Sequence, residues 1–106
     1  MNRLDDATLV RVLKALADPK RLRMVQEIAA AGELSCGEIG ESFALAQPTI
    51  SHHLKILADA GVLIVRESAQ HRFISIDTAL IREIARFLPA QVEAGAARKR
   101  RRARSA

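Results

Sequence analysis

The chain has 106 residues, 49% hydrophobic and 27% charged, enough to bury one modest core and too few for a second domain. No apolar run is long enough to cross a bilayer, and the N-terminal MNRLDDATL lacks the charged-then-apolar pattern of a secretion signal, so a cytoplasmic protein is expected. One cysteine cannot close an intramolecular disulfide, and the absence of Trp and Tyr disfavours a binder that stacks single-stranded bases on aromatic rings.

The net charge of +5 is unevenly placed. RKRRRAR at 98–104 holds six of the seventeen Lys and Arg, while the remainder carries eleven basic and twelve acidic groups. Such a segment suits a polyanion: DNA, RNA or an acidic membrane. A solubility tail, a phosphate clamp and a minor-groove arm are its three readings.

A first helix is predicted from about Asp6 to Ala17, with Asp5 or Asp6 at its positive end and Leu9, Leu13 and Leu16 on one face. Asp18-Pro19 stops it and starts a second, Asp as cap and Pro at the first helical position. Leu22, Val25, Ile28 and Ala29 carry that helix to Gly32, a good C-terminal stop. Lys20, Arg21 and Arg23 crowd its first turn, where the dipole disfavours cations, so they either meet an anion or form a solvated face. Ser35-x-x-Glu38 is a capping box that opens a third helix ending near Phe43. Ala44-Leu45-Ala46 makes a turn, and a fourth helix runs from about Gln47 to Gly61, with Pro48 in its first turn and a poor cap in Ala46. VLIVRE and HRFISI are β-rich runs around Ser68-Ala69-Gln70, a hairpin whose tip lacks Gly and should form a loose loop. Asp77 caps a last helix with Leu80, Ile81, Ile84 and Leu88 on one face; Pro89 should kink or end it, and the chain from Gly95 should be disordered.

The expected fold is mainly α (α+β): a winged helix-turn-helix of four helices, a β-hairpin wing and a C-terminal helix. Residues 1–97 form the domain and 98–106 a basic, disordered tail.

On a helical wheel of about 100° per residue, Ile50, Leu54 and Leu57 mark the buried side of the fourth helix. Pro48, Ser51, His52 and Lys55 fall opposite, and Gln47 and Thr49 lie at the N-terminal end, where a recognition helix meets base edges. Gln pairs bidentately with adenine, Ser and Thr bond bases or phosphates, and Lys55 suits a phosphate. His52 and His53 point about 100° apart, so His52 faces outward and His53 packs; a solvated face is the bland alternative for the set. Arg66, Gln70, His71 and Arg72 stand near the hairpin tip, within reach of phosphates or a minor groove, or simply as surface charge. An enzyme would need a glycine-rich phosphate loop or paired His with a carboxylate at ligand spacing, and neither is present.

Four segments carry a resemblance: LKALADPKRLRMVQEI at 13–28, GELSCGEI at 32–39, AQPTISHHLKILADAGVL at 46–63 and HRFISID at 71–77. In them the chain resembles the ArsR/SmtB family of bacterial winged-helix repressors. The resemblance spans about residues 7–90, and its QPTISHHLKIL string is highly specific. It implies a homodimer through the first and last helices, here Leu9, Leu13, Leu80, Ile81, Ile84 and Leu88, with two fourth helices on a palindromic operator in double-stranded DNA. It also implies repression of the protein's own or a neighbouring operon, released by an inducer that the sequence does not identify.

Many members sense metals, and here the chain departs from them. Thiolate-type members carry Cys where this chain has Ser35 and often where it has Gly37; members with ligands on the last helix need Asp, His or Glu where Thr78, Leu80, Gln91 and Ala94 stand. Neither metal nor cofactor is expected. Cys36, between the two vacated thiolate positions, is a candidate thiol sensor, since the positive end of a helix dipole favours the reactive thiolate. A packed, inert thiol one turn before Ile39 is the other reading.

Overall fold

In the computed structural model, which describes residues 4–105, side-chain caps start three of the first four helices at the positions their sequence marks. Asp5 accepts the Thr8 N–H at 2.7 Å and opens α1 (Asp6–Leu16); Asp18 accepts the Arg21 N–H at 3.0 Å and opens α2 (Pro19–Ala31). Gly32, at φ +83°, closes α2. After β1 (Leu34–Ser35), α3 (Cys36–Phe43) begins with a full capping box: Glu38 N–H donates to Ser35 Oγ at 3.2 Å, and Ser35 N–H donates to Glu38 Oε1 at 2.9 Å. α4 (Gln47–Asp59) has no side-chain cap, as Ala46 leads one to expect. Gly61 ends it at φ +85°: its N–H bonds the Ala58 carbonyl and the Val62 N–H reaches back to Leu57, the paired bonds of a Schellman stop.

β2 (Leu63–Ser68) and β3 (His71–Ile76) form the wing, and β1 adds to the other edge of β3, giving an antiparallel sheet of order β1-β3-β2. Two residues are too few to show a strand pattern, so β1 is absent from the sequence prediction. The tip is tighter than predicted. Ser68 pairs with His71, leaving a two-residue turn of Ala69 and Gln70, with Ala69 at φ +55° where glycine is usual. The six-residue strand pairing holds a strained alanine that local chemistry alone would avoid.

Fully buried Val12, Met24, Ile28, Ile39, Ile50, Leu57 and Val62 join α1 through α4 to the base of the wing. The cations at the start of α2 do not form a purely solvated face. Arg21 turns back so that Nε donates to the Ala15 carbonyl at 2.7 Å and Nη2 to Lys14 at 3.3 Å, meeting the negative end of α1. Arg23 lies 3.9 Å from Glu27 one turn on.

The C-terminal region departs most from expectation. α5 (Thr78–Ser105) runs through Pro89 and Gly95 instead of ending there, so the segment 98–105 is helical rather than disordered. Residues 90–105 are rich in Ala and Arg, strong helix formers; what stops near Leu88 is apolar periodicity, which reports packing and not helicity. Pro89 forfeits one backbone bond, to Ala85, where both residues are exposed and water can satisfy the carbonyl. Residues 1–3, assigned above to the domain, and Ala106, assigned to the tail, lie outside the described residues.

The residues expected at a subunit contact divide. Leu9, Leu80 and Ile84 are buried within the protomer and leave little for a partner, because their faces complete its own core. Ile81 is half-buried, whereas Leu13 and Leu88 remain exposed. Val10 on α1, at 47% exposure, and Val92 on α5, at 67%, are further uncovered apolar groups that the periodicity did not single out.

Candidate nucleic-acid interface

Packing sorts α4 into two faces. Ile50, His53, Leu54 and Leu57 are buried; Gln47, Pro48, Thr49, Ser51, His52 and Lys55 are all exposed. The burying face is held by α1, α2 and α3, so the outward set is presented on a rigid element rather than a loop. Gln47 begins the helix against α3: a Cβ added at Gly40 would stand 3.1 Å from Gln47 Nε2, so the glycine provides room for the amide. In the turn between α3 and α4, Ala44 takes the left-handed conformation at φ +49°.

The two adjacent histidines separate as their 100° spacing requires. His52 is solvent-facing, while His53 is buried with Nδ1 3.5 Å from Arg21 Nη1. Arg21 thus ties α4 to the C-terminal carbonyls of α1.

On the wing, Gln70 occupies the turn, with exposed His71 and Arg72 directly after it. Arg72 faces Glu67 across the strands, Nε 3.8 Å from Oε1. Arg66 is not at the tip. It sits opposite Phe73, with its guanidinium 4.5 Å from the ring centroid, and makes two bonds to the Glu33 carboxylate at 2.8 and 3.2 Å. The Arg66 hydrogen bonds hold the Glu33 carboxyl below its ordinary range, and Glu33 in turn raises Arg66. Arg66 thus has an internal partner distant in sequence, which its position near a hairpin did not suggest. Lys55, although outward, is bonded to Asp59 at 3.1 Å.

Cys36 is half-buried at the first position of α3. It lines a cleft of about 440 Å³ between α4 and the wing, together with Ser51, Leu54, Lys55 and Arg72. Sequence reasoning placed the thiol on α3 but could not place it beside the two elements that would face DNA.

An exposed polar helix face beside a two-stranded wing fits a major groove, whose width admits one helix. Comparison with known proteins agrees. Residues 16–66 match a family model described as a helix-turn-helix domain. The chain is 35% identical over 77 residues to the uncharacterized HTH-type transcriptional regulator YceK of Bacillus subtilis, a match covering 72% of this chain and 77% of that one. It is 35% identical over 72 residues to the transcriptional repressor SdpR of the same organism, covering 68% and 79%. An ArsR-like transcriptional regulator from Rhodococcus sp. RHA1 superposes with a TM-score of 0.76 at 22% identity, over 88% of this chain and 86% of that one, a likeness of fold. With its motifs, relatives and architecture in agreement, the chain belongs to the ArsR family of winged helix-turn-helix transcriptional repressors, proteins that bind DNA and are not enzymes.

Proposed function

We propose that the protein acts in the cytoplasm as a homodimer that binds a palindromic operator and represses its own or a neighbouring operon, without using the family's metal sites. The observation that carries this reading is the sorted α4, with Gln47, Thr49, Ser51 and His52 outward and Ile50, Leu54 and Leu57 inward. Exposed Val10 and Leu13 on α1 and Leu88 and Val92 on α5 support pairing through those helices, since apolar groups left uncovered are the usual stuff of an interface. The metal-free reading rests on Ser35, Gly37, Thr78, Leu80, Gln91 and Ala94 standing where ligands are required, none of them a thiolate, imidazole or carboxylate. A genome-wide footprint followed by gel shift at ~150 mM salt with competitor DNA tests the reading. Discrete palindromic sites that survive competitor are expected; binding indifferent to base order would overturn it.

A second reading has one observation in its favour: Cys36 lies in the cleft between α4 and the wing. Oxygen transfer from peroxide to Sγ, giving a sulfenic acid and water, would add a polar group between the two DNA-facing elements. Peroxide should then release the operator from the native protein and leave the Cys36→Ser variant bound; equal responses in both would end this reading.

A further inference from the structure

The surface that faces DNA in the proposed function is poor in positive charge. Residues 33–76, which hold α3, α4 and the wing, contain three cations and five carboxylates. Each of those cations has a carboxylate close by: Lys55 with Asp59 at 3.1 Å, Arg66 with Glu33 at 2.8 Å and Arg72 with Glu67 at 3.8 Å. Exposed pairs are weak and can open. Opening them changes the partners, though, and not the net charge of the face. A duplex carries about one negative charge per 1.7 Å of axis, and cations that displace its counterions supply most of the sequence-independent affinity. This face has little to supply.

The charge stands elsewhere. Arg98, Lys99, Arg100, Arg101, Arg102 and Arg104 are all exposed on the last turns of α5, and the sequence has no Asp or Glu after Glu93. Ile84 is the last buried residue of α5 among those described. From there to Arg98 the helix advances about 21 Å at ~1.5 Å per residue, in a molecule 63 Å long and 27 by 21 Å across. The basic turns therefore project from the body. They also carry internal repulsion: Arg98 with Arg102, and Arg100 with Arg104, are like charges one helical turn apart. A polyanion laid along them relieves it.

We infer that the C-terminal end of α5 is a phosphate-binding arm: it supplies the electrostatic part of duplex affinity, without base preference, while α4 and the wing supply discrimination. This rests on the DNA-binding reading above and adds a separate site to it. Two arms per dimer give the protein up to twelve backbone contacts outside the recognition face, counting the six cations of each chain.

The test compares the full-length protein with a full-length variant in which these six residues become Gln, a substitution that keeps helix propensity and removes charge. The probes are a duplex selected from a random pool by the native protein and a scrambled duplex of equal length. Six or more backbone contacts make native affinity fall on the order of 10³-fold or more between 50 and 200 mM salt. The variant should lose less than about 30-fold over that range, with its selected-to-scrambled ratio unchanged. Equal salt dependence in the two proteins overturns the arm. So does loss of the ratio with the charge, which would make the arm a base reader, or a Gln effect on anionic-vesicle binding with none on DNA. If the native protein selects no sequence, the repressor reading fails instead, and the scrambled duplex still tests the arm.

Discussion

Within α4 the buried and outward residues should respond oppositely to truncation. Gln47→Ala or His52→Ala should weaken operator binding by roughly 5- to 150-fold, the ~1–3 kcal/mol of a base contact, with an unchanged melting temperature. Leu54→Ala should instead cost about 2–5 kcal/mol of folding stability, because it opens a cavity where α4 meets the body. Fluorescence anisotropy and thermal melts on the same samples separate the two effects; normal operator binding by both Gln47 and His52 variants would show that the assigned face is wrong. Ionisation adds a pH dependence. Asp5 and Asp18 are held below their ordinary 3.8 by the Thr8 and Arg21 backbone N–H groups, and Glu38 below 4.5 by the Ser35 N–H. A carboxyl lowered in the folded state stabilises fully above its unfolded value and ceases to as pH falls through the folded one. The stabilisation from these three carboxylates should therefore be constant from neutrality to about pH 5 and be lost below about pH 4, lowering the melting temperature there, and Glu38→Gln should make that acid fall shallower. An unaltered acid limb in the variant would show that the capping box carries none of it.

The elements that hold the site contain two local departures from ideal sequence, each with its own expected repair. Ala69 occupies a left-handed position in the wing turn, which costs an L-residue roughly 1–2 kcal/mol. Ala69→Gly should stabilise the protein by up to about 1 kcal/mol after the added flexibility of glycine is subtracted, read as a rise in the chemical denaturation midpoint. Pro89 interrupts the hydrogen-bond ladder of a 28-residue helix. Pro89→Ala should restore a donor to Ala85 and raise helical content by circular dichroism, most visibly in α5, whose distal half packs little against the body. No gain in helicity would mean that the helix beyond Pro89 is not continuous in solution.

At the scale of the whole molecule, uncovered apolar groups on α1 and α5 and concentrated charge at the end of α5 give the protomer two surfaces that its own fold does not use. Val10→Asp combined with Val92→Asp should convert the proposed dimer to monomer in sedimentation velocity and reduce operator affinity together with it, while each chain keeps its helical content. A monomeric native protein, or a double variant that stays dimeric, would remove α1 and α5 from the subunit contact. Arg21, bonded to the carbonyls that end α1 and facing His53 on α4, links α1 to α4.

The starts of the first three helices and the stops of α2 and α4 were legible because each depends on one or two residues in their own neighbourhood: Asp5, Asp18, the Ser35–Glu38 box, Gly32 and Gly61 act within a turn of where they stand, whereas the end of α5 was not. The two faces of α4 were legible for the same reason, since a 3.6-residue repeat needs no knowledge of what covers it. What the residues alone left open was settled by contacts far along the chain. Arg66 went to Glu33, thirty-three positions away, and Leu34 and Ser35 became a strand only because β3 offered them an edge. Leu9, Leu80 and Ile84 were claimed by the core rather than left for a partner, a choice between two apolar destinations that hydrophobicity by itself does not make. Local chemistry thus determined which segments turn, coil and divide into faces. Tertiary packing decided which charged and apolar side chains remained available, because availability is a property of neighbours and not of the residue.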